Sequence, residues 1–277
     1  MDTVIGLGNA GCNIADLFAN YPQYSIKKID VGLEKTKTSF PLQAHKSVED
    51  YEKKLPKLQY FFRGVKGDIL FVLAGGGNVS SATLATLKSL KNKCNINVLY
   101  IQPEKTLLNE TQLRLEKLVF GVLQEYARSG LFSRMYVVSN SEIESLLGGI
   151  PLKEYYRKIN EMLVSTFHMI NTYNHLKPLE NTFCAPPCGA RISTFGYYDE
   201  ETGEEKMFFP LDNTSDVVYY YAYSKQSLED NVDLMKNIRS KMKEKKDLNI
   251  RPSYGIYETS YEQDYVYCLS HTSIIQK

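Results

Sequence analysis

The sequence lacks the features that would place the protein on a membrane, on nucleic acid or outside the cell. Its 277 residues carry a net charge of only +1, so no strong field points to DNA or to an anionic membrane. No apolar run reaches the roughly 20 residues that span a bilayer. The N-terminus has no basic stretch followed by an apolar one, which predicts no signal peptide. We therefore expect a cytoplasmic protein without specific nucleic-acid or membrane partners.

Disulfide bonds and resident metal ions are also not expected. The five cysteines, at positions 12, 94, 184, 188 and 268, are odd in number and mostly far apart, which is typical of free thiols in a reducing compartment. Cys184 and Cys188 form the only close pair, and a zinc site would need two more ligands at suitable spacing. The sequence thus predicts free cysteines and no metal site.

Strand-like and helical patterns alternate through the first half of the chain. The strand-like runs are Thr3–Gly6, Ile26–Asp30, Ile69–Ala74, Asn97–Gln102 and Met135–Ser139. The helical patterns between them are Asn13–Ala19, Ser80–Lys91, Glu110–Ala127 and Ser141–Leu147. This alternation predicts βαβ units and a parallel sheet covered on both faces.

The second half has a different pattern. A helical stretch runs from about Leu152 to Tyr173. Its apolar residues recur at intervals of three and four, which predicts one buried face. These residues are Ile159, Leu163, Phe167 and Ile170. Asn181–Ala190 resembles a connection. Four strand-like runs follow this connection: Arg191–Tyr198, Val217–Tyr223, Ser253–Glu258 and Tyr265–Ser270. A helical pattern, Leu228–Lys245, lies between the second and the third of them. We interpret the basic stretch Lys236–Lys246 as a solvated helix face.

Two glycine-rich turns, each following an apolar run, are the most informative motifs. The first is Val4-Ile5-Gly6-Leu7-Gly8-Asn9-Ala10-Gly11-Cys12-Asn13, and the second is Gly75-Gly76-Gly77-Asn78-Val79-Ser80-Ser81 after Phe71-Val72-Leu73-Ala74. A strand that ends in glycines and restarts as a helix presents backbone N–H groups at a helix N-terminus, where phosphates bind. Ser80 and Ser81 would cap the second helix, and their hydroxyls could reach phosphate or Mg²⁺. Two such turns predict two loops that close on one nucleotide.

These motifs resemble those of the tubulin/FtsZ family, and the resemblance covers nearly the whole chain. Gly11-Cys12-Asn13 is similar to the family's Cys-Gly-Asn element, and the second turn is similar to its Gly-Gly-Gly-Thr-Gly-(Ser/Thr)-Gly signature. Tyr136-Val137-Val138-Ser139-Asn140 resembles the strand before the family's central helix, which carries an aromatic residue and, four residues later, an amide or acid. Tyr156 and Asn160 match those two positions.

The resemblance implies a Rossmann-like parallel-sheet nucleotide-binding domain at 1–150, a long central helix at 151–176 and a smaller α+β domain at 190–277. It also implies binding of GTP or GDP with Mg²⁺ and head-to-tail assembly of the chain with itself into filaments. Short, diverged members of this family are associated with phages and plasmids, so a viral or mobile-element origin, and then the host cytoplasm, is part of the expectation.

The expected nucleotide contacts fall into three groups. The phosphates would lie against Gly8, Gly11, Cys12, Asn13, Gly75, Gly76, Gly77, Asn78 and Ser80, and Asp30 would approach the ribose. Tyr156 and Asn160 lie one helical turn apart and share a face, so the ring can stack on the purine while the amide bonds its edge. Asn140 would contact the same base, since an amide both donates and accepts.

Hydrolysis is where the chain departs most from the family. The family's loop after the central helix carries two acids that polarise the attacking water in the neighbouring subunit's site, and here those positions align with Phe183 and Pro186. Neither can orient water or accept a proton. Glu180 and Asn181 are the only candidate catalytic residues, and Glu180 is shifted by three positions. We expect a possible GTPase activity to be weak or lost.

Two alternatives compete with this interpretation. Gly6-Leu7-Gly8-Asn9-Ala10-Gly11 with Asp30 further along fits the fingerprint of an NAD(P)-binding oxidoreductase, although a second triple-glycine turn is not required there and the C-terminal half lacks a plausible hydride-transfer group. The other alternative is a tubulin-like structural or scaffold protein that no longer binds nucleotide. Val79 at a glycine position of the second turn motivates it, because a β-branched residue restricts φ.

Overall fold

A computed structural model describes residues 1–90 and 93–277 and divides the chain into two compact units, Met1–Val164 and Ser165–Lys277. The first unit contains, in order, β1 (Thr3–Leu7), α1 (Gly8–Phe18), β2 (Ser25–Val31), β3 (Ser39–Leu42), α2 (Val48–Lys53), β4 (Asp68–Ala74), α3 (Thr83–Leu90), β5 (Asn95–Gln102), α4 (Glu110–Arg128), β6 (Arg134–Ser139) and α5 (Asn140–Leu147). Helix α6 (Tyr155–Tyr173) begins in the first unit and ends in the second. The second unit continues with β7 (Glu180–Asn181), β8 (Ile192–Asp199), β9 (Glu204–Met207), β10 (Asp216–Ser224), α7 (Lys225–Asp230), α8 (Leu234–Asp247), β11 (Arg251–Thr259) and β12 (Tyr265–Thr272).

The strands of the first unit form a parallel sheet in the order β3-β2-β1-β4-β5-β6. Leu7, at the end of β1, pairs with Ile29 on one side and Leu73 on the other, and Gln102 pairs with Ser139. The C-terminal ends of the strands are therefore level. The loops after β1, β2, β4, β5 and β6 all emerge at one edge of the sheet, which is where parallel α/β sheets bind ligands.

The centre of this sheet is buried almost continuously along the strands. Every residue of β1 is buried, as are Ile69–Leu73 of β4. Continuous burial, rather than alternation, is typical of a parallel sheet covered on both faces. Helix α1 packs against β1, β2 and β4 and buries Ile14, Ala15 and Phe18, which fixes the position of the turn from which it starts.

The second unit is mostly antiparallel. Its strands run in the order β8-β12-β10-β11-β7 with β9 beside β8, and only β10 and β11 pair in parallel. On β10, Tyr219, Tyr221 and Tyr223 point to the face that α8 covers with Leu234, Ile238 and Met242. Tyr220 points to the opposite face and stacks on Tyr173, with 6.4 Å between ring centroids.

The predicted fold class is confirmed: the first half is a parallel α/β sheet, a long helix follows, and the rest is α+β. The buried face of α6 is as predicted, since Ile159, Leu163, Phe167 and Ile170 are each at most 3% exposed. All five cysteines are free, as expected. Among the described residues, no helix combines the length and the apolar character needed to cross a bilayer.

Several predicted boundaries were wrong. Helix α1 starts at Gly8 rather than Asn13, so most of the first motif is helical. The predicted helix Ser80–Lys91 is a 3-10 turn, Asn78–Ala82, followed by α3, and Lys91 itself lies outside the described residues. Short elements were not predicted at all: β3, α2, β7 and β9.

The helix predicted over Leu228–Lys245 is two helices. The Ser224 side chain caps α7, and the chain turns extended at Asn231, whose Oδ1 accepts a hydrogen bond from the N–H of Asp233 at 3.2 Å. Such a local side-chain bond competes with helix continuation. The interpretation of Lys236–Lys246 as a solvated face is wrong in part, because Lys241 is buried and Lys245 pairs with Glu205 at 2.7 Å.

Candidate functional site

The first glycine turn is a direct passage from β1 into α1. Gly8 has φ +72° and Leu7, the residue before the helix, provides no side-chain cap. No acidic side chain lies in the first turn of α1. The leading N–H groups of a helix have no intrahelical acceptor and carry a partial positive charge, so this end of α1 suits an anion.

The other predicted residues of this motif lie within α1, where their roles differ. Gly11 packs against the backbone of β4: a Cβ at Gly11 would lie 2.4 Å from the carbonyl oxygen of Val72, so only glycine lets the helix approach this closely. Cys12 is buried, and its Sγ lies 3.6 Å from the Gly6 carbonyl oxygen and 3.8 Å from that of Ile29. Asn13 is exposed.

The Cys12 thiol remains protonated. Burial, aided by the negative charge of Asp30, raises the pKa of Cys12 to about 12, so the side chain is a neutral donor to backbone carbonyls rather than a nucleophile. Its side chain points into the protein, so a contact between Cys12 and a ligand would have to come from its backbone.

The second turn has three consecutive glycines with different surroundings. Gly75 donates its N–H to Ile101 at 3.1 Å, and a Cβ there would collide with the Tyr100 hydroxyl. Gly76 has φ +77°, a conformation that favours glycine. Gly77 is exposed, a Cβ on it would meet nothing within 4 Å, and it starts the 3-10 turn without a side-chain cap.

The serines after this turn do not serve as the expected caps. Ser80 is buried, and its hydroxyl donates to the Gly77 carbonyl at 2.6 Å. The hydroxyl of Ser81 donates to the carbonyl of Val48 at 2.6 Å. Both hydroxyls are thus committed to backbone acceptors. Asn78, the first residue of the 3-10 turn, is exposed.

The two turns and Asp30 lie side by side. A Cβ on Gly8 would be 3.7 Å from the Cβ of Val79, so the first turn touches the second. Asp30 follows Ile29, which pairs with Leu7, so its carboxyl lies at the same edge. Asp30 Oδ1 accepts a hydrogen bond from the N–H of Val31 at 2.8 Å, and burial raises its pKa.

The residues predicted to hold the base lie further along the chain. Asn140 is the first residue of α5, directly after β6. On α6, Tyr156 is 63% exposed and Asn160 is half-buried. The Tyr155 hydroxyl donates to Glu144 Oε2 at 2.6 Å and so ties the start of α6 to α5. In the described part of the chain, no hydrogen bond or ring contact joins Tyr156 or Asn160 to the two turns.

Sequence reasoning missed a supporting layer under the second turn. The buried pair Tyr100 and Glu116 share a hydrogen bond at 3.2 Å directly beside Gly75. Leu108 lies over Gly76, and Asn109 and Gln112 form a capping box that starts α4 at this point. The capping box is readable from Asn109-Glu110-Thr111-Gln112, whereas nothing in the sequence shows that Glu116 faces Tyr100.

Comparison with known proteins rests on structure alone, since no protein-family profile and no curated protein sequence matches the chain. A GTPγS-form protofilament of TubZ from Bacillus thuringiensis serovar israelensis superposes with a TM-score of 0.74 at 16% identity, covering 99% of this chain and 87% of TubZ. TubZ of type III plasmid segregation gives 0.70 at 17% identity over 99% and 88%. FtsZ from M. jannaschii gives 0.69 at 10% identity over 98% and 87%.

The chain has the tubulin/FtsZ fold.

Within the tubulin/FtsZ fold, the edge that carries both turns fits a phosphate-bearing ligand. Two helix starts without side-chain caps face the same edge, and the space in front of Gly77 is open. A Mg²⁺ ion bound there would depend mainly on ligand phosphates and water, because no cluster of three or more His, Cys, Asp or Glu side chains suited to a metal occurs in residues 1–90 and 93–277.

The loop after α6 is hydrogen-bonded to the sheet of the second unit. Asn181 and Glu180 in β7 pair with Gly255 and Ile256 in β11. Glu180 Oε1 accepts a hydrogen bond from the Tyr254 hydroxyl at 3.1 Å. The only carboxylate of the loop therefore has a partner within its own chain.

Phe183 occupies the other face of this sheet. A Cβ on Gly255 would fall 2.3 Å from the Phe183 ring, and the ring lies 5.8 Å from that of Tyr220. Asn181 Oδ1 accepts from the N–H of Phe183 at 3.2 Å. Glu180 and Phe183 thus lie on opposite faces, as their strand-like spacing predicted.

Proposed function

We propose that this chain binds a guanine nucleotide at the edge formed by its two glycine turns and assembles head to tail with itself into filaments. The observation that carries the proposal is the contact between the turns at Gly8 and Val79, which puts two uncapped helix starts beside one space. The expected contacts are the phosphate-side, ribose-side and base-side residues named from the sequence.

The similar structures support the guanine and filament parts of the proposal. TubZ from B. thuringiensis forms protofilaments described as GTPγS and GDP forms, and a helical two-stranded filament of it is also known. Head-to-tail contacts of this kind are heterologous and produce open filaments. The likeness to a TubZ of type III plasmid segregation supports a plasmid-type origin of this chain. A cytoplasmic location, which is the host cytoplasm if the origin is viral, is part of the proposal.

Hydrolysis of the nucleotide is weak or lost under this proposal. A head-to-tail neighbour would have to supply a carboxylate from the loop after α6. The loop offers Glu180, which is hydrogen-bonded to Tyr254, and Phe183 and Pro186 cannot accept a proton.

Calorimetric titration of the purified protein with GTP, GDP, ATP and NADH in the presence of Mg²⁺ tests the proposal. We expect GTP and GDP to bind and ATP and NADH to bind more weakly. Tight NADH binding would instead support the dinucleotide-dependent oxidoreductase. Light scattering on the GTP-bound protein then tests assembly.

A scaffold that no longer binds nucleotide is the second candidate, and Val79 favours it. The Val79 side chain stands next to Gly8, between the two turns, at a position where the family has glycine. Binding that does not distinguish GTP and GDP from ATP and NADH, together with assembly that is independent of all four ligands, would support this candidate and reject the first.

Tyr156→Ala is expected to weaken GTP binding by about 1–3 kcal/mol, the range for stacking of a base on an aromatic ring. Tyr156 is 63% exposed, so its removal leaves no large cavity. Tyr261→Ala is the matched control, because Tyr261 is 50% exposed and lies in the second unit. Both affinities can be measured by calorimetry, and an unchanged affinity for Tyr156→Ala would assign the ring to packing only.

A further inference from the structure

One concave surface of the first unit is strongly basic. A cavity of about 610 Å³ is lined by five cationic side chains, Lys27, Lys35, Lys37, Lys57 and Arg63, which we call the basic pocket. The other lining residues are apolar, aromatic or uncharged polar, and none is acidic. None of the residues of the two glycine turns belongs to it. In a chain with a net charge of +1, five cations around one cavity are a pronounced concentration of positive charge.

The cations of the basic pocket lack carboxylate partners. No ion pair involving any of the five occurs in the described part of the chain, whereas neighbouring Lys28 pairs with Asp16 at 2.8 Å. Lys27 Nζ instead donates to the Lys37 carbonyl at 2.5 Å and lies 4.7 Å from the centre of the Phe61 ring. Burial lowers the pKa of Lys27. Uncompensated positive charge around one cavity favours a ligand that brings negative charge.

The segments that present these cations are held in shape by hydrogen bonds. Thr36 Oγ1 accepts from the N–H groups of Thr38 and Ser39 at 3.1 and 2.9 Å, which orders the turn between Lys35 and Lys37. On the other side, the N–H of Arg63 donates to Tyr60 at 3.2 Å. A site that is already ordered loses less conformational entropy when a ligand binds.

The composition of the pocket indicates the class of ligand. Four of its five cations are lysines, which act as point charges and suit the oxygens of phosphate, whereas planar carboxylate recognition favours arginine. The volume falls within the range of about 300–1,000 Å³ for small-molecule sites. Phe61 and Phe40 are covered by the ammonium groups of Lys27 and Lys35, but Tyr60 is 87% exposed at the rim and can contact a flat ring.

We propose that the basic pocket binds a small polyphosphate ester that carries a flat ring, such as a free nucleoside triphosphate, at a site separate from the two glycine turns. The lysines and Arg63 hold the phosphates, and Tyr60 contacts the ring.

The absence of tryptophan from the chain permits a local test. Tyr60→Trp introduces the only tryptophan at the rim of the pocket, and Tyr261→Trp places one in the second unit as the matched control. We expect ATP and inorganic tripolyphosphate to change the fluorescence of Tyr60→Trp saturably and to leave Tyr261→Trp unchanged. ATP should bind about fivefold tighter or more, because only ATP has a ring to stack. Equal affinities would overturn the role of the ring.

Charge variants then locate the binding. In the Tyr60→Trp protein, Lys57→Ala with Arg63→Ala should weaken binding about tenfold or more, through loss of two phosphate contacts. Lys243→Ala with Lys246→Ala, exposed on α8, should have no effect. The signal should persist in a Gly76→Val background, which separates this site from the proposed guanine-nucleotide site.

Three outcomes would overturn the proposal. One is no fluorescence change with either ligand, and another is an equal loss of affinity in the α8 control. The third is an affinity that rises steadily with the length of a single-stranded oligonucleotide. This result would identify the ligand of the pocket as nucleic acid and not as a small molecule.

Discussion

Gly76→Val is expected to abolish guanine-nucleotide binding at the two glycine turns while the protein stays folded. Gly76 has φ +77°, and a Cβ there would already lie 3.2 Å from Leu108 Cδ1. The strain of a valine in this conformation is about 1–3 kcal/mol, below the total stability of about 5–15 kcal/mol typical of a domain. The turn would shift to relieve the strain, and the backbone N–H groups after it would no longer point toward the phosphates. We expect the affinity for GTP to fall by about a hundredfold or more, equivalent to ~2.7 kcal/mol.

Gly203→Val is the control for backbone strain alone. Gly203 has φ +73°, is exposed, and a Cβ there would meet nothing within 4 Å. Thermal unfolding should show both variants destabilised, and calorimetry should show that only Gly76→Val loses the guanine-selective binding of GTP. A folded Gly76→Val protein with unchanged affinity would remove the second turn from the site.

Phosphate release from bound GTP is expected to be very slow and to rise only about a few-fold when the protein assembles. A positioned acid or base contributes about 10²–10⁴-fold to such reactions, and the loop after α6 has no unpaired carboxylate to provide it. The measurement is phosphate release at protein concentrations below and above those at which light scattering reports filaments.

Glu180→Gln tests whether Glu180 is responsible for any hydrolysis that is seen. An amide oxygen can still accept the hydrogen bond from Tyr254, so the fold should be retained. We expect the rate to be the same as in the unsubstituted protein. Brisk release that Glu180→Gln abolishes would show that Glu180 leaves Tyr254 and acts on the attacking water.

The central strands could be predicted because their signals are local. The apolar run at Ile69–Ala74 is followed by three glycines. The length of the run and the glycines that end it are enough to identify a buried strand there. Strand β3 was missed because Ser39-Phe40-Pro41-Leu42 contains a proline, which is compatible with a strand mainly at the edge of a sheet. In the first unit β3 lies at the end of the strand order, so the proline is tolerated. Only the pairing of β3 with β2 shows that this segment is a strand.

The features that sequence could not predict, in the candidate site and outside it, depend on contacts between distant residues. Lys241 looked solvated because its partner, Glu205, lies on β9, which was not predicted. Ser80 was assigned a capping role by its type and position, but its hydroxyl is taken by the Gly77 carbonyl. The assignment of Gly11 to phosphate stays a prediction, and its surroundings show in addition the close packing of α1 against β4. Residue type in a motif indicates which turns to consider as a site, whereas the contacts of each residue depend on the surrounding fold.

If the chain assembles as proposed, the pairing of β7 with β11 affects how its filaments would turn over. If Glu180 stays bound to Tyr254, subunits keep the nucleotide with which they were incorporated, so both ends of a filament have the same subunit composition. Treadmilling and abrupt shortening both require a difference between old and new subunits. Such a filament would grow and shrink by simple mass action, and its length in the cell would follow the supply of the protein or the action of a separate disassembly factor.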